Sequence, residues 1–175
     1  EGGLRERIVA PAPLHLVNPL WHFWDANWWP DWKKSAEKLM WFYERSGGSS
    51  VDGVIAFTPT MLESILEAIG PVDMTDDYGV VIDADNFWLT AQTFAEQKQD
   101  VTNKPKKIIG DMFHEIVSIL PDRLNKDSFL DLSLKIEEAF SERHALFYFV
   151  DDVLQQKMED NGWAGRMRNT AWDYL

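Results

Sequence analysis

The sequence predicts an α/β domain: helices packed around a small central mixed sheet that this chain leaves incomplete. Three observations carry the prediction. Apolar residues recur at helical spacing along most of the chain, as in Met61, Leu62, Ile65, Leu66 and Ile69. Short continuous apolar runs such as Val54-Ile55-Ala56-Phe57 read as strands covered on both faces. Helices outnumber these strands, so strands from outside the chain are expected to complete the sheet.

The elements follow in order. Residues 1–19, with Pro11, Pro13 and Pro19, read as an extended lead-in, and residues 20–175 as a single α/β domain. Phe23 to Trp32 is irregular and aromatic. Asp31 is a natural N-cap for a helix carrying Trp32, Ala36, Leu39, Met40 and Tyr43, ended by Gly47-Gly48-Ser49-Ser50. Val51 to Phe57 is a strand, and Thr58-Pro59 opens the next helix, which Gly70-Pro71 stops. Val72 to Met74 and Val80 to Ile82 are short strands around Asp76-Asp77-Tyr78-Gly79, and the strand-helix-strand from Val51 to Met74 is expected to form a β-α-β unit with a right-handed crossover.

Asp85 is placed to cap a helix bearing Phe87, Trp88, Ala91, Phe94 and Ala95. A polar linker from Lys98 to Pro105 leads to a helix with Ile108, Met112, Phe113, Ile116 and Leu120 on one side, which Pro121-Asp122 should break. Phe129, Leu132, Ile136, Ala139 and Phe140 define another amphipathic helix. His144 to Val150 is a buried strand, Asp151 caps a last helix through Met158, and Gly162-Trp163-Ala164-Gly165 is a turn before the Trp172-Asp173-Tyr174-Leu175 tail.

Composition narrows the function. At 175 residues, 45% of them hydrophobic, the chain can build a packed core unaided. Its formal charge of −12 repels nucleic acid and anionic membrane surfaces, so no nucleic-acid partner is expected. The absence of cysteine excludes disulfides, thiolate metal sites and cysteine nucleophiles within the chain. No run of apolar residues is long enough to span a membrane. The chain opens on Glu1-Gly2-Gly3 and reads as a fragment or processed piece of a longer protein. No nucleophile elbow, P-loop or dinucleotide fingerprint is present.

Six of the nine tryptophans, Trp21, Trp24, Trp28, Trp29, Trp32 and Trp41, fall within twenty-one residues. Indole faces stack on sugar rings, which makes Trp24, Asn27, Trp28 and Trp29 the candidate ligand-binding residues, with Trp24 and Trp29 expected to be exposed. The competing reading is that these rings fill the edge of the core, each having about 150–250 Å² to bury. Asp25, Asn27 and Asp31 form an oxygen-bearing array that a hard cation could use, and Asp25 or Asp31 are the candidate catalytic carboxylates. Against this, Pro30 and Ala36 stand where a calcium loop needs glycine and glutamate, and Asp31 already has a capping role. Asp83, Asp85 and Asn86 invite the same suspicion and the same turn-and-cap answer. Asp111, His114 and Glu115 share one helical turn, but a lone histidine reads as a solvated helix edge.

Five stretches then occur in order: Trp24-Asp25-Ala26-Asn27-Trp28-Trp29-Pro30-Asp31, Val51-Asp52-Gly53-Val54-Ile55-Ala56, Gly70-Pro71-Val72, Ala84-Asp85-Asn86-Phe87 and Gly162-Trp163-Ala164-Gly165. Together they resemble the bacterial domain-of-unknown-function 4012 family over about residues 20–175. The resemblance implies a domain that follows a membrane-spanning segment, hence an extracytoplasmic place at the bacterial cell surface, with the membrane reached only through an anchor outside this chain. It also implies an Arg-Pro-Thr-Gly-Gly-type motif upstream and further strands downstream. It implies no activity.

A more remote similarity is to the LytR-CpsA-Psr envelope proteins, which transfer glycopolymers from a polyprenyl-pyrophosphate carrier to the cell wall. The stretch from Val51 to Met74 looks like their central unit, and Trp24-Asp25 falls where they carry an Arg-Asp pair. Those arginines hold a pyrophosphate as bidentate forks. Here Trp24 replaces the first, and the region after Asp85 offers Gln92, Thr93, Lys104, Lys106 and Lys107 instead. The leading expectation is a noncatalytic envelope module that needs no cofactor and binds a cell-wall glycan, an envelope protein or a copy of itself. The alternatives are a divergent glycopolymer phosphotransferase using Asp25 or Asp31 with magnesium, and a structural surface-assembly subunit.

Overall fold

The computed structural model describes residues 6–96 and 107–167; the Lys98–Pro105 linker and the Trp172–Leu175 tail lie outside the described residues. The elements run α1 (Trp32–Arg45), β1 (Gly53–Phe57), α2 (Pro59–Ile69), β2 (Val72–Met74), α3 (Thr75–Tyr78), β3 (Val80–Ile82), α4 (Phe87–Glu96), α5 (Lys107–Arg123), α6 (Lys126–Ser141), β4 (Ala145–Phe149) and α7 (Asp152–Asp160). Helices and strands interleave, so the α/β class holds. The chain divides into two compact units, Glu1–Ala56 with Ala145–Leu175, and Phe57–His144.

The strands form two pairs rather than one central sheet, β1 with β4 and β2 with β3. β1 and β4 run antiparallel, because Val150 N–H donates to Asp52 O at 2.9 Å at one end and Thr58 N–H to His144 O at 2.8 Å at the other. β2 and β3 are antiparallel in the register Val72↔Ile82, Asp73↔Val81 and Met74↔Val80. The expected β-α-β unit is therefore not made. β2 folds straight back into β3 through the short α3, and closing so small a loop costs far less chain entropy than a parallel crossover.

In the first unit the lead-in does not stay extended. Pro13 falls at the opening of a 3-10 turn, Ala12–Leu16, where its fixed φ is pre-organised and its missing N–H leaves no bond unmade. The segment then doubles back, with Val9 bridging Leu20 and Trp21 N–H donating to Ile8 O at 2.8 Å. α1 starts where Asp31 predicts, the carboxylate accepting from Lys34 N–H at 3.4 Å. One side of α1 packs Trp32, Ala36, Leu39 and Met40 against Val54, Ala56, Leu146 and Tyr148 of the β1–β4 pair. A second side places Leu39 and Phe42 with Ala10, Trp21 and Ala26. Ile55 points the other way and is 52% exposed, so β1 is covered on one face, not on the two that its apolar run predicted. Asp151 caps α7 by accepting from Leu154 N–H at 2.8 Å, and the helix runs to Asp160, slightly beyond the expected Met158.

The second unit is built on α2 lying along α6, with Lys135 and Glu67 paired across them at 2.6 Å. Leu62, Leu66 and Ile69 of α2 join Val72, Met74, Ile82, Met112, Ile116 and Leu132 in one core, each large side chain contributing about 1.5–3 kcal/mol by leaving water. Before α4 the cap is Asp83, not Asp85. Asp83 Oδ1 accepts from Asn86 N–H at 2.8 Å while Asn86 Oδ1 accepts from Asp83 N–H at 3.1 Å, a reciprocal capping box that leaves Asp85 exposed. Pro121 does not break α5, which continues to Arg123. Proline this late in a helix forfeits a single backbone bond, and the Arg123 guanidinium holds the end of α5 to the end of α2 by donating to Ile69 O at 3.0 Å and to Pro71 O at 2.5 Å. Among the described residues no helix is long and apolar enough to cross a membrane.

Candidate functional site: an aromatic and cationic cleft

The irregular tryptophan segment is fastened to α1 by one buried serine. Ser35 Oγ donates to Trp29 O at 3.0 Å and accepts from Trp29 N–H at 3.1 Å, so the loop backbone is fixed two ways. Trp21 donates its indole N–H to Asp25 O at 3.1 Å and meets Trp29 edge-on at 5.6 Å and Phe42 at 5.5 Å. These bonds set Trp29 beside α1. The helix then supplies Lys34, Glu37, Lys38 and Trp41, spaced so that they share one face. Together the five residues line an open cleft of about 390 Å³.

The electrostatics of this cleft are unusual for so acidic a chain. Lys38 Nζ sits 4.9 Å from the Trp21 ring centre and 4.6 Å from that of Trp41, so two indoles hold the ammonium through its attraction to their π faces. The Arg45 guanidinium lies 5.6 Å from the Trp41 ring and pairs with Glu6 at 3.3 Å. The Glu37 carboxylate accepts from the Tyr148 hydroxyl at 3.3 Å. Burial, followed by the nearby Glu37 charge, pushes the Tyr148 hydroxyl above its ordinary value, so Tyr148 remains a donor.

The residues singled out from the sequence scatter around this cleft. Trp29 lines it, but half-buried, because Trp21 covers its edge; the expectation that Trp29 is exposed does not hold. Trp24 is exposed, at 61%, and stacks on His22 with ring centres 4.5 Å apart and planes 10° from parallel. Trp28 and Asn27 are exposed on the same segment. Asp25 is half-buried, with its carbonyl engaged by Trp21. Asp31 is buried, and its oxygens accept from Lys34 N–H and Met167 N–H at 3.4 Å, with Arg166 at 3.5 Å. That carboxylate closes the helix start onto the Gly162–Gly165 turn, whose last residue accepts from Trp32 N–H at 3.1 Å. Gly165 itself has φ +56, and a Cβ there would stand 2.9 Å from Trp32 Cβ, which is why glycine ends the turn. Among the described residues no three histidine or acidic side chains are grouped to hold a metal ion.

Sequence reasoning missed Lys34, Glu37, Lys38 and Trp41 as a set. The signal was available in their spacing at i, i+3, i+4 and i+7, but an apolar-only template passes over a stripe of charged residues. It also missed Glu142, His144 and Thr58 in the second unit. His144 Nε2 lies 3.2 Å from Glu142 Oε2 and Nδ1 lies 3.0 Å from Thr58 Oγ1. The order carboxylate, imidazole, hydroxyl has the form of a proton relay. Thr58 and His144 are also joined backbone to backbone, so the contact ties the start of α2 to the end of α6.

The suspected Asp111–His114 group is a helix edge, with His114 Nδ1 2.9 Å from Gly110 O. Asp111 takes bonds from Lys107 and from the Tyr78 hydroxyl; the lysine, ahead of the tyrosine, holds its carboxyl below the ordinary carboxylate value. A depressed carboxyl stabilises the fold above its unfolded-state value and loses that contribution as pH falls through the folded one. The stability difference between wild type and Asp111→Asn, read by urea unfolding, is therefore expected to be larger at neutral pH than at an acid pH below the ordinary carboxylate range. Equal differences at both pH values would remove the ion-pair account.

A sequence model of the DUF4012 family, whose description is "protein of unknown function", matches residues 10–98, just over half of the chain and including every residue that lines the cleft. No curated protein and no solved structure matches it. The chain therefore belongs to the DUF4012 family.

Proposed function

We propose that this chain is a noncatalytic recognition module of the bacterial cell envelope, held outside the cytoplasm by an anchor elsewhere in its protein, and that it binds glycan through the Trp29–Trp41 cleft. The observation that carries the reading is the composition of that cleft: two indoles together with Lys34, Glu37 and Lys38 in an open volume of about 390 Å³. A sugar ring presents C–H faces and a rim of hydroxyls, and a site matched to it needs apolar area beside convergent polar groups. Exposed Trp24 and Trp28 extend the aromatic surface along the same segment. The engagement of Asp31 by Lys34, Met167 and Arg166 removes it as the free carboxylate that the transferase alternative needs beside magnesium, and leaves that alternative to Asp25 alone.

Titration calorimetry with isolated wall glycans tests the proposal. Wild type should bind, and Trp29→Ala should lower affinity at least about tenfold, a loss of roughly 1.4 kcal/mol, while circular dichroism retains the native spectrum. Trp41→Ala should behave alike. If both variants bind as wild type does and merely melt earlier, the rings are core and the proposal fails.

A further inference from the structure

We infer that the ligand of the cleft is an anionic glycan, one carrying a carboxylate or phosphate group that docks between Lys34 and Lys38. The inference rests on the glycan reading above and adds the charge of the ligand to it. Its ground is a local reversal of sign. The whole chain carries a formal −12, yet α1 carries Lys33, Lys34, Lys38 and Arg45 against Glu37 and Glu44. Two of those lysines line the cleft with one carboxylate, that of Glu37.

Glu37 is partly withdrawn from them by the Tyr148 hydroxyl, which donates to its Oε1 at 3.3 Å. Among the described residues neither Lys34 nor Lys38 enters an ion pair, whereas the neighbouring Arg45 is paired with Glu6. Lys38 is held instead by the rings of Trp21 and Trp41. An indole face fixes an ammonium without cancelling its charge, so the cation is positioned before any ligand arrives. An anion entering the cleft relieves the repulsion of two ammoniums on one wall and gains charge-assisted hydrogen bonds. The acidic remainder of the surface sets a limit on size. Beyond about 8 Å at physiological salt the cleft's field is screened, and a long polyanion would meet repulsion along the rest of the molecule.

The test compares three oligosaccharides of one backbone: neutral, uronate-bearing and phosphate-bearing. The acidic forms should bind at least about fivefold more tightly than the neutral one at low salt, and the advantage should shrink as sodium chloride is raised. On Lys34→Gln the acidic forms should bind no more tightly than the neutral sugar measured on the same variant; its side chain is outside the ring cluster, so folding is spared. Glu37→Gln should enlarge the advantage. Whichever acidic form binds better identifies the source of the charge. Neutral and acidic sugars bound equally would overturn this inference and leave the glycan reading standing. Binding of none of the three would overturn both.

Discussion

Replacing Phe42 by alanine is expected to destabilise the protein by about 3–5 kcal/mol, a large share of the roughly 5–15 kcal/mol that holds a domain together. Phe42 is 0% exposed. Its ring meets Trp21 edge-on at 5.5 Å and Trp41 at 5.2 Å, both near perpendicular. Truncation removes the buried ring, leaves a cavity, and deletes two edge-to-face contacts that are worth about 0.5–1.5 kcal/mol each beyond area burial. It also frees the two indoles that hold Lys38, so cleft and core loosen together. Urea unfolding followed by tryptophan fluorescence reads the loss directly. A change under about 1 kcal/mol would mean that the aromatic cluster collapses onto the space, and that Phe42 is not its keystone.

Gly53→Ala is expected to cost about 3 kcal/mol through the opposite fault, overpacking. A Cβ at this position would stand 2.8 Å from Phe149 Cδ1 and closer still to the carbonyl oxygen of Tyr148. Backbone in a paired strand cannot step aside as a flexible side chain can. β1 and β4 must therefore part locally, and both contribute side chains to the packing against α1. Gly110→Ala is the control. Its added methyl meets nothing within 4 Å on a helix, so about 1 kcal/mol of stabilisation is expected there. Thermal melts of the two variants should move in opposite directions; a Gly53→Ala protein as stable as wild type would refute the close approach of the strands.

Gly53 also shows what a sequence pattern can hide. Within Val51-Asp52-Gly53-Val54-Ile55-Ala56 it carries the family resemblance, but nothing local explains a glycine opening an apolar strand. The explanation lies about a hundred residues away, in the backbone of β4. α1 teaches the same lesson. The helical template chose Trp32, Ala36, Leu39, Met40 and Tyr43, a single stripe. The helix instead buries two sides, so Ser35 and Phe42 are fully enclosed while Tyr43 is exposed. Ser35 could not be found by hydropathy, because its burial depends on the Trp29 backbone satisfying its hydroxyl. The candidate site was legible to the same extent: the tryptophan segment drew notice, while the lysines and glutamate opposite it did not.

The sequence by itself determined where several helices begin, because those starts depend on neighbours a few residues away: Asp31 and Asp151 capping α1 and α7, and Thr58-Pro59 opening α2. Even the misplaced cap at Asp85 was corrected by two positions, to Asp83. Only the tertiary structure decided which strands pair, which tryptophans are covered and which charges meet. Those outcomes depend on contacts between residues far apart in the chain, such as Tyr148 with Glu37, separated by 111 positions. Capping and periodicity are settled within one or two turns of backbone. Pairing and burial are settled by competition among all surfaces of the folded chain, which no local pattern contains.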